Sequence, residues 1–493
     1  MGQCATVQPI PTPTLPLKGR EKGVLRSRSR DFLPYQLKSS LHEYAWRNDQ
    51  MKANRTMLAV TAATLLTSVA VASDDLDDLF DLDTPLDETA EVFGDLLPGG
   101  GTGLRVGGYG EFAAAYTTAD PERWSRLRTR LELTASGRLG GGPRFRLGAR
   151  ADYDAAYDVE SSHYPRAVRS DQRAGASIRE AFVEFGAGEW EFTLGRQHIV
   201  WGEVVGFFVA DVVSARDVRE FYLPEFETMR IPQWAARAEY FAGETHFELV
   251  WIPYPSYDDI GKPGSNFYPF ALPADTRVRN AEPSRSLSNT NWGLRVSRLI
   301  DGWDLTGFYY QSRDVSPTLY RLPTGLELRN ERIEQLGGTF SKDMGSFVLK
   351  GEAVYSDGHK FLSADPTARY GLKPSDILDY VLGVDVPTGD WRVNLQFYGR
   401  HAFDHDSSLG FDRNEVGYTV LVNHRFSDRF EAEFIYASSL NRSDYMLRPK
   451  LIWNITQEWR GQFGADVFGG RKEGLFGRFD DEDRVYFEVR RWF

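Results

Sequence analysis

Cysteine is nearly absent from this chain of 493 residues: the single one, Cys4, lies at the very start. The remainder has no means of building a disulfide framework, a thiolate metal site or a lipid-anchored N-terminus. Outside residues 51–72 no apolar run reaches the roughly 18 residues of a transmembrane helix, which excludes a helical membrane protein. Basic residues are in deficit, with a formal net charge of −12, so nucleic acid is excluded as the main partner. Histidine is sparse (8 residues), and no Gly-x-Ser-x-Gly or comparable nucleophile context accompanies it. The chain is therefore not expected to be an enzyme, and no cofactor or metal is expected. The acidic turn Asp480–Asp483 lacks the glycine and alternating ligands of a Ca²⁺ loop and reads as a solvated turn.

What is present begins with a secretory signal. Lys52 and Arg55 precede the apolar stretch Met57–Ala70, and Ala70-Val71-Ala72 offers a small-residue cleavage site, so residues 51–72 read as a signal peptide. Residues 1–50 then read as a leader called too early, with Met51 as the expected start. Removing residues 1–72, which hold 10 basic and 4 acidic side chains, moves the net charge from −12 to −18. Residues 73–103 form an acidic periplasmic tract with ten carboxylates between Asp74 and Asp95 and no Lys or Arg among them. Such composition favours a mobile tail; Leu76, Leu79 and Phe80 also allow a short amphipathic helix that docks in the lumen or on a periplasmic partner through 73–100.

From residue 104 to 493 the dominant pattern is period-2 alternation. In the last segment Val485, Phe487, Val489 and Phe493 share one parity, while Arg484, Glu488 and Arg490 share the other. A strand of this kind at a chain end is safe only where its edge is paired, as at the seam of a closed barrel. Arg491 breaks the parity and is expected at the membrane rim. Eighteen such segments can be counted, with sixteen as the alternative. Every second connector is a tight turn (GAGE, AGE, IDGW, PTGD among them) and most of the others are long, as in 158–175, 198–232 and 254–288. Sorting of loop length by side is the mark of a transmembrane β-barrel, so the fold class is all-β, a closed antiparallel barrel. The terminal Phe493 also resembles the signature by which outer-membrane barrels are handed to the barrel-assembly machinery. Outer membrane and lipopolysaccharide are the partners that this implies.

Alternation also assigns faces. Arg126, Arg128 and Arg130 alternate with Leu127 and Leu131, and Arg144, Arg146 and Arg150 alternate with Phe145, Leu147 and Ala149. An arginine facing lipid at mid-bilayer costs about 2–4 kcal/mol, so both rows must line the lumen as a basic stripe. Local carboxylates look too few to pair every member of that set. Elsewhere lumen charges of both signs are expected to neutralise one another across strands.

On pattern alone the connector 198–232 is where function is expected, since long loops with internal order are usually functional. Val204–Val213 is too apolar for water and should fold inward onto the wall, and Val212, Arg216, Arg219 and Glu220 have the spacing of a short helix. The text GRQ followed by WGE, then a downstream Asp and an Ile231-Pro232/Trp234 pair, resembles a family of large Gram-negative outer-membrane barrels of unknown function. Alginate-export barrels and substrate-specific porins are similar in style. The resemblance implies outer-membrane location and transport. Its motif falls here on Gly195, Arg196, Gln197, Trp201, Gly202 and Glu203. Strict parity sends Arg196 outward, to the rim, unless a bulge at Gly195 turns it inward. Together with Asp211, Arg216, Asp217, Arg219 and Glu220 these residues form the expected constriction, facing the basic stripe across a transverse field. The reading is a porin-like channel for a small anionic or amphipathic organic solute. The alternative is an export barrel for a polymer or hydrophobic compound, plugged by the acidic tract.

Overall fold

The computed structural model describes residues 103–140, 142–202, 204 and 208–493. The signal peptide, the leader and nearly all of the acidic tract lie outside the described residues, as does Glu203. Eighteen strands form one antiparallel wall: β1 Arg105–Thr117, β2 Arg123–Arg138, β3 Arg144–Asp154, β4 Ala174–Ala187, β5 Trp190–Gln197, β6 Gln233–Ala242, β7 Thr245–Tyr254, β8 Asn291–Ile300, β9 Trp303–Arg313, β10 Arg332–Asp343, β11 Val348–Asp357, β12 Ile377–Thr388, β13 Trp391–Ala402, β14 Asn414–Ser427, β15 Phe430–Ser439, β16 Asp444–Asn454, β17 Trp459–Gly469 and β18 Arg484–Trp492. The barrel closes where β1 pairs β18, from Tyr109 opposite Trp492 to Thr117 opposite Arg484. Phe493 completes the seam: its N–H donates to the Gly108 carbonyl and its carbonyl accepts from the Gly108 N–H, each at 3.0 Å. The count is eighteen, and the sixteen-strand alternative falls away.

The two faces differ as the alternation requires. Leu131, Leu133, Leu147, Leu249, Leu382 and Leu395 are exposed on the outside, where nothing but lipid makes such exposure stable. Outer aromatics gather at the two strand ends, with Trp190 against Tyr240 and Phe430 against Trp453 by the short turns. Tyr116 against Trp124, Trp292 against Tyr309 and Tyr355 against Phe403 lie by the long loops. These are the girdles of a membrane barrel. Arg491 sits at the short-turn rim, bound to Glu458 at 3.2 Å.

The long loops carry small elements of their own: helices α1 Ala156–Val159 and α2 Arg166–Gln172, a hairpin over Thr318–Leu322 and Gly325–Arg329, and a short pair over Lys360–Leu362 and Leu372–Pro374. Connector 198–232 instead enters the barrel.

Candidate functional site

The loop leaves the wall at the end of β5. Gly195 has φ +128°, and a Cβ there would lie 2.2 Å from the Ala181 carbonyl, so only glycine fits. Pairing runs unbroken through it, from Leu194 opposite Val183 to Arg196 opposite Ala181. No bulge turns Arg196 inward: it shares its outer face with Trp234, its pairing partner, and its Nε donates to the Ile178 carbonyl at 2.7 Å. The irregularity of this region is one strand away, where the β3–β4 register shifts at Gly148 and sets Arg179 and Glu180 consecutively. Gln197 is buried inside and ties the loop's root to the wall, its Nε2 donating to the carbonyls of Thr193 and Ala235.

Beyond Gln197 the apolar run packs against the inner wall, as its composition demands. Ile199, Trp201, Ala210, Val212 and Val213 form one buried cluster with Ala235 of β6, Val250 and Ile252 of β7, Phe308 and Tyr310 of β9 and Val354 of β11. Trp201 fills a slot over Gly293 of β8 and donates its indole N–H to Glu248 at 3.2 Å. A Cβ on Gly293 would lie 2.7 Å from the Trp201 ring and 2.6 Å from Tyr310. Gly293→Val is therefore expected to unseat Trp201 at a cost of about 1–3 kcal/mol, read as a lower transition temperature of the folded band in heated electrophoresis. The anchor furthest along the wall is Glu352 of β11, whose two carboxylate oxygens accept the backbone N–H groups of Val204 (2.9 Å) and Ala210 (2.8 Å).

The chain then crosses the lumen. Residues 212–220 are not helical: Ala215–Arg216 pairs as a two-residue strand with Arg230–Ile231, and the short helix α3 lies later, at Phe226–Met229. The 3.6-residue spacing of Val212, Arg216, Arg219 and Glu220 loses to this pairing and to Asp258, which accepts the Arg216 N–H at 2.8 Å. Asp211 is bound by Arg230 (2.8 Å), and its carbonyl accepts Arg216 Nη2 (2.6 Å). Arg219 pairs Asp217 at 2.5 Å and Asp259 at 3.3 Å. At the far side Phe221 and Leu223 enter a second buried cluster with Ala437, Met446 and Phe468 of β15–β17 and with Phe267, Phe476 and Phe479 of two other long loops. Arg448 of β16 donates to the Leu223 carbonyl at 2.8 Å. On the return Arg150 and Arg179 donate to the carbonyls of Thr228 and Glu227. One connector is thus fixed to β6–β11 at one end and to β15–β17 at the other.

The basic stripe meets this loop directly. Glu220 binds Arg126, Arg128 (2.9 Å) and Arg484 of β18 (3.4 Å). The remaining members also have acidic partners: Arg128 with Glu111 at 3.1 Å, Arg130 with Asp152 at 2.5 Å, Arg144 with Glu184 and Glu191, Arg146 with Glu180 at 2.6 Å, and Arg150 with Glu132 at 2.7 Å. The expected shortage of carboxylates is thus corrected, and so is the field across an open gap at this point, since Glu220 touches the stripe. The supply comes from neighbouring strands and from the loop itself. Partial desolvation in the lumen pushes the Glu225 carboxyl up although its side chain is 41% exposed, but Arg490, Arg460 and Lys450 hold it below the usual carboxylate range. Asp217, partly exposed and partly desolvated, is likewise held low by Arg219. Glu227 has less cationic help and burial leaves it raised.

The long loops pack on one another and on the wall. Phe267 packs in the second cluster, and Tyr268 packs with Ile260, Leu319 and Leu328, so these aromatics brace long loops against each other. The Asp480–Asp483 turn is divided: Asp481 pairs Lys472, Glu482 pairs Arg123, and Asp483 accepts the Phe468 N–H. Glu352, Glu248 and Arg448 read from the sequence only as lumen charges, and their loop-anchoring roles carry no local signal.

Lipid outside and charge inside, across a closed antiparallel barrel, place the chain in the outer membrane of a Gram-negative bacterium. Among solved structures it is similar to OccK8 (OprE) of Pseudomonas aeruginosa (10% identity, 79% of this chain and 98% of that one, TM-score 0.47). OccAB1 of Acinetobacter baumannii gives 7% identity, 79% and 95% coverage, and a TM-score of 0.49. Salmonella typhi OmpF in complex with daunomycin gives 11%, 80% and 98%, and 0.41. No curated protein matches. The family model for a protein of unknown function (DUF1302) matches residues 118–493, and the chain belongs to that family.

Proposed function

We propose that the protein is an outer-membrane channel that passes a small anionic or amphipathic organic solute, with loop 198–232 as its constriction. The observation that carries this reading is the loop's double anchorage, on Glu352 at one wall and on Arg448 and Arg484 at the other. A loop pinned across a wide barrel narrows it while leaving the wall intact, as suits a selective path. The guanidiniums of the arginine rows, each already paired with a carboxylate, and the aromatic side chains of the loop suit a solute that combines a polar and an apolar part. In planar lipid bilayers the purified barrel should give discrete KCl conductance steps. Changing Arg126, Arg128 and Arg130 to Ala leaves Glu111, Asp152 and Glu220 short of their cations, so the permeability ratio should move toward cations. An unaltered ratio would remove the stripe from the mechanism.

A further inference from the structure

The arginine of the Gly195-Arg196-Gln197 run stands outside the lumen. Its pairing partners, Ala181 of β4 and Trp234 of β6, set it on the outer face of the wall. It lies six residues along β5 from Trp190, which belongs to the aromatic girdle by the short turns. In β9 the same six residues separate Trp303, beside a short turn, from Tyr309 in the girdle by the long loops. Arg196 is therefore level with the long-loop girdle, and long loops are the extracellular side of such a barrel. The row continues across the strands. Trp234 pairs Tyr254 of β7, and a register shift between Trp234 and Ala236 keeps Tyr254 on the same outer face, where both rings are exposed. Arg196 is held in place by its Nε, which donates to the Ile178 carbonyl at 2.7 Å. Its Nη1 and Nη2 have neither a hydrogen bond nor a carboxylate among the described residues. The Trp234 indole N–H and the Tyr254 hydroxyl make no hydrogen bond among them either. Leu194, two residues back along β5, and Ile178 give the same face an exposed apolar surface.

We propose that this row is a binding site for a phosphate-bearing lipid of the outer leaflet, its phosphate taken by Arg196, Trp234 and Tyr254 and its acyl chains by the wall at Leu194 and Ile178. The arginines of β2 and β3 that face the lumen are each met by a carboxylate. Arg196 has no such partner and faces lipid, so the anion that matches it is one that the membrane supplies. A guanidinium with two free nitrogens presents a planar fork to phosphate oxygens, and indole and phenol donors are at home at headgroup level. The site depends on the barrel's place in the outer membrane and is independent of what the lumen passes.

Phosphatidic acid and diacylglycerol with the same acyl chains differ by the phosphate alone, and inorganic phosphate supplies the anion without the chains. Lipid binding to the detergent-solubilised full-length protein is measured by native mass spectrometry, and stabilisation by heated electrophoresis. Phosphatidic acid should bind about tenfold more tightly than diacylglycerol and should raise the transition temperature of the folded band. Arg196→Gln should abolish most of that tenfold preference and leave diacylglycerol binding unchanged. Trp234→Phe and Tyr254→Phe each keep a ring and remove one donor, so each should lose part of the preference. These two variants carry the test if Arg196→Gln does not fold. Equal binding of the two lipids would overturn the proposal and leave Arg196 as a side chain that reaches for water at the rim. A preference that survives all three variants would overturn it too, by placing the phosphate elsewhere on the protein. Stabilisation by inorganic phosphate equal to that by phosphatidic acid would overturn the lipid as its source.

Discussion

Replacing Glu352 with alanine is expected to raise single-channel conductance severalfold and to make it noisy, with little loss of barrel stability. The two loop N–H groups that this carboxylate accepts, from Val204 and Ala210, bracket the stretch next to Trp201 and lie against β11. Hydrogen bonds to a charged acceptor contribute about 1.5–3 kcal/mol each, so losing both costs about as much as the burial of one or two large side chains. The apolar cluster of Ile199, Trp201, Val212 and Val213 remains and is larger than that, so the loop should stay in the lumen while the stretch between 204 and 210 loosens. Wall strands are held by their own ladders, which Glu352 does not serve, so heated electrophoresis should show a nearly unchanged transition. Glu352→Gln retains one acceptor and should fall between. Conductance and noise equal to wild type in the alanine variant would show that Glu352 does not hold the constriction.

How much of this was readable in advance follows from the range of the interactions. Strand positions and the closing seam depend on period-2 alternation, which is local, and they came through. The inward course of Val204 and of residues 208–213 was readable because an apolar stretch has nowhere else to go. Its far attachment was not, because the acceptor for Arg448 is the Leu223 carbonyl, a main-chain group that every residue possesses. The pairing of the stripe failed for a related reason. Glu220 is 92 residues from Arg128 and 264 from Arg484, so no count of neighbouring carboxylates reveals it. The helix expected over 212–220 was lost to a strand pair whose other half, Arg230–Ile231, lies on the loop's return. Arg196 shows the opposite case: plain parity, without the bulge, gave the right face.

Converting Glu220 to glutamine should shift the channel toward anions and destabilise it, and the two effects should be separable. Glu220 is the shared partner of Arg126, Arg128 and Arg484. Arg128 retains Glu111 at 3.1 Å, and Arg484 retains Asp466 at 2.8 Å. Arg126 has no second carboxylate in contact among the described residues, and its side chain is only 8% exposed. The variant therefore adds one uncompensated positive charge beside the loop where it meets the stripe. Removing one member of a dry ion pair costs about 3–5 kcal/mol; Glu220 is 23% exposed, and solvent screening lowers the expected loss to roughly 2 kcal/mol. Under a KCl gradient the reversal potential should move in the direction of chloride permeation, and the shift should shrink as salt rises. Adding Arg126→Gln restores the charge balance, so the double variant should recover both the wild-type reversal potential and most of the stability. A single variant with an unchanged reversal potential would mean that ions do not pass the point where loop and stripe meet. The conducting path would then run along the β12–β14 side of the lumen, past Arg400.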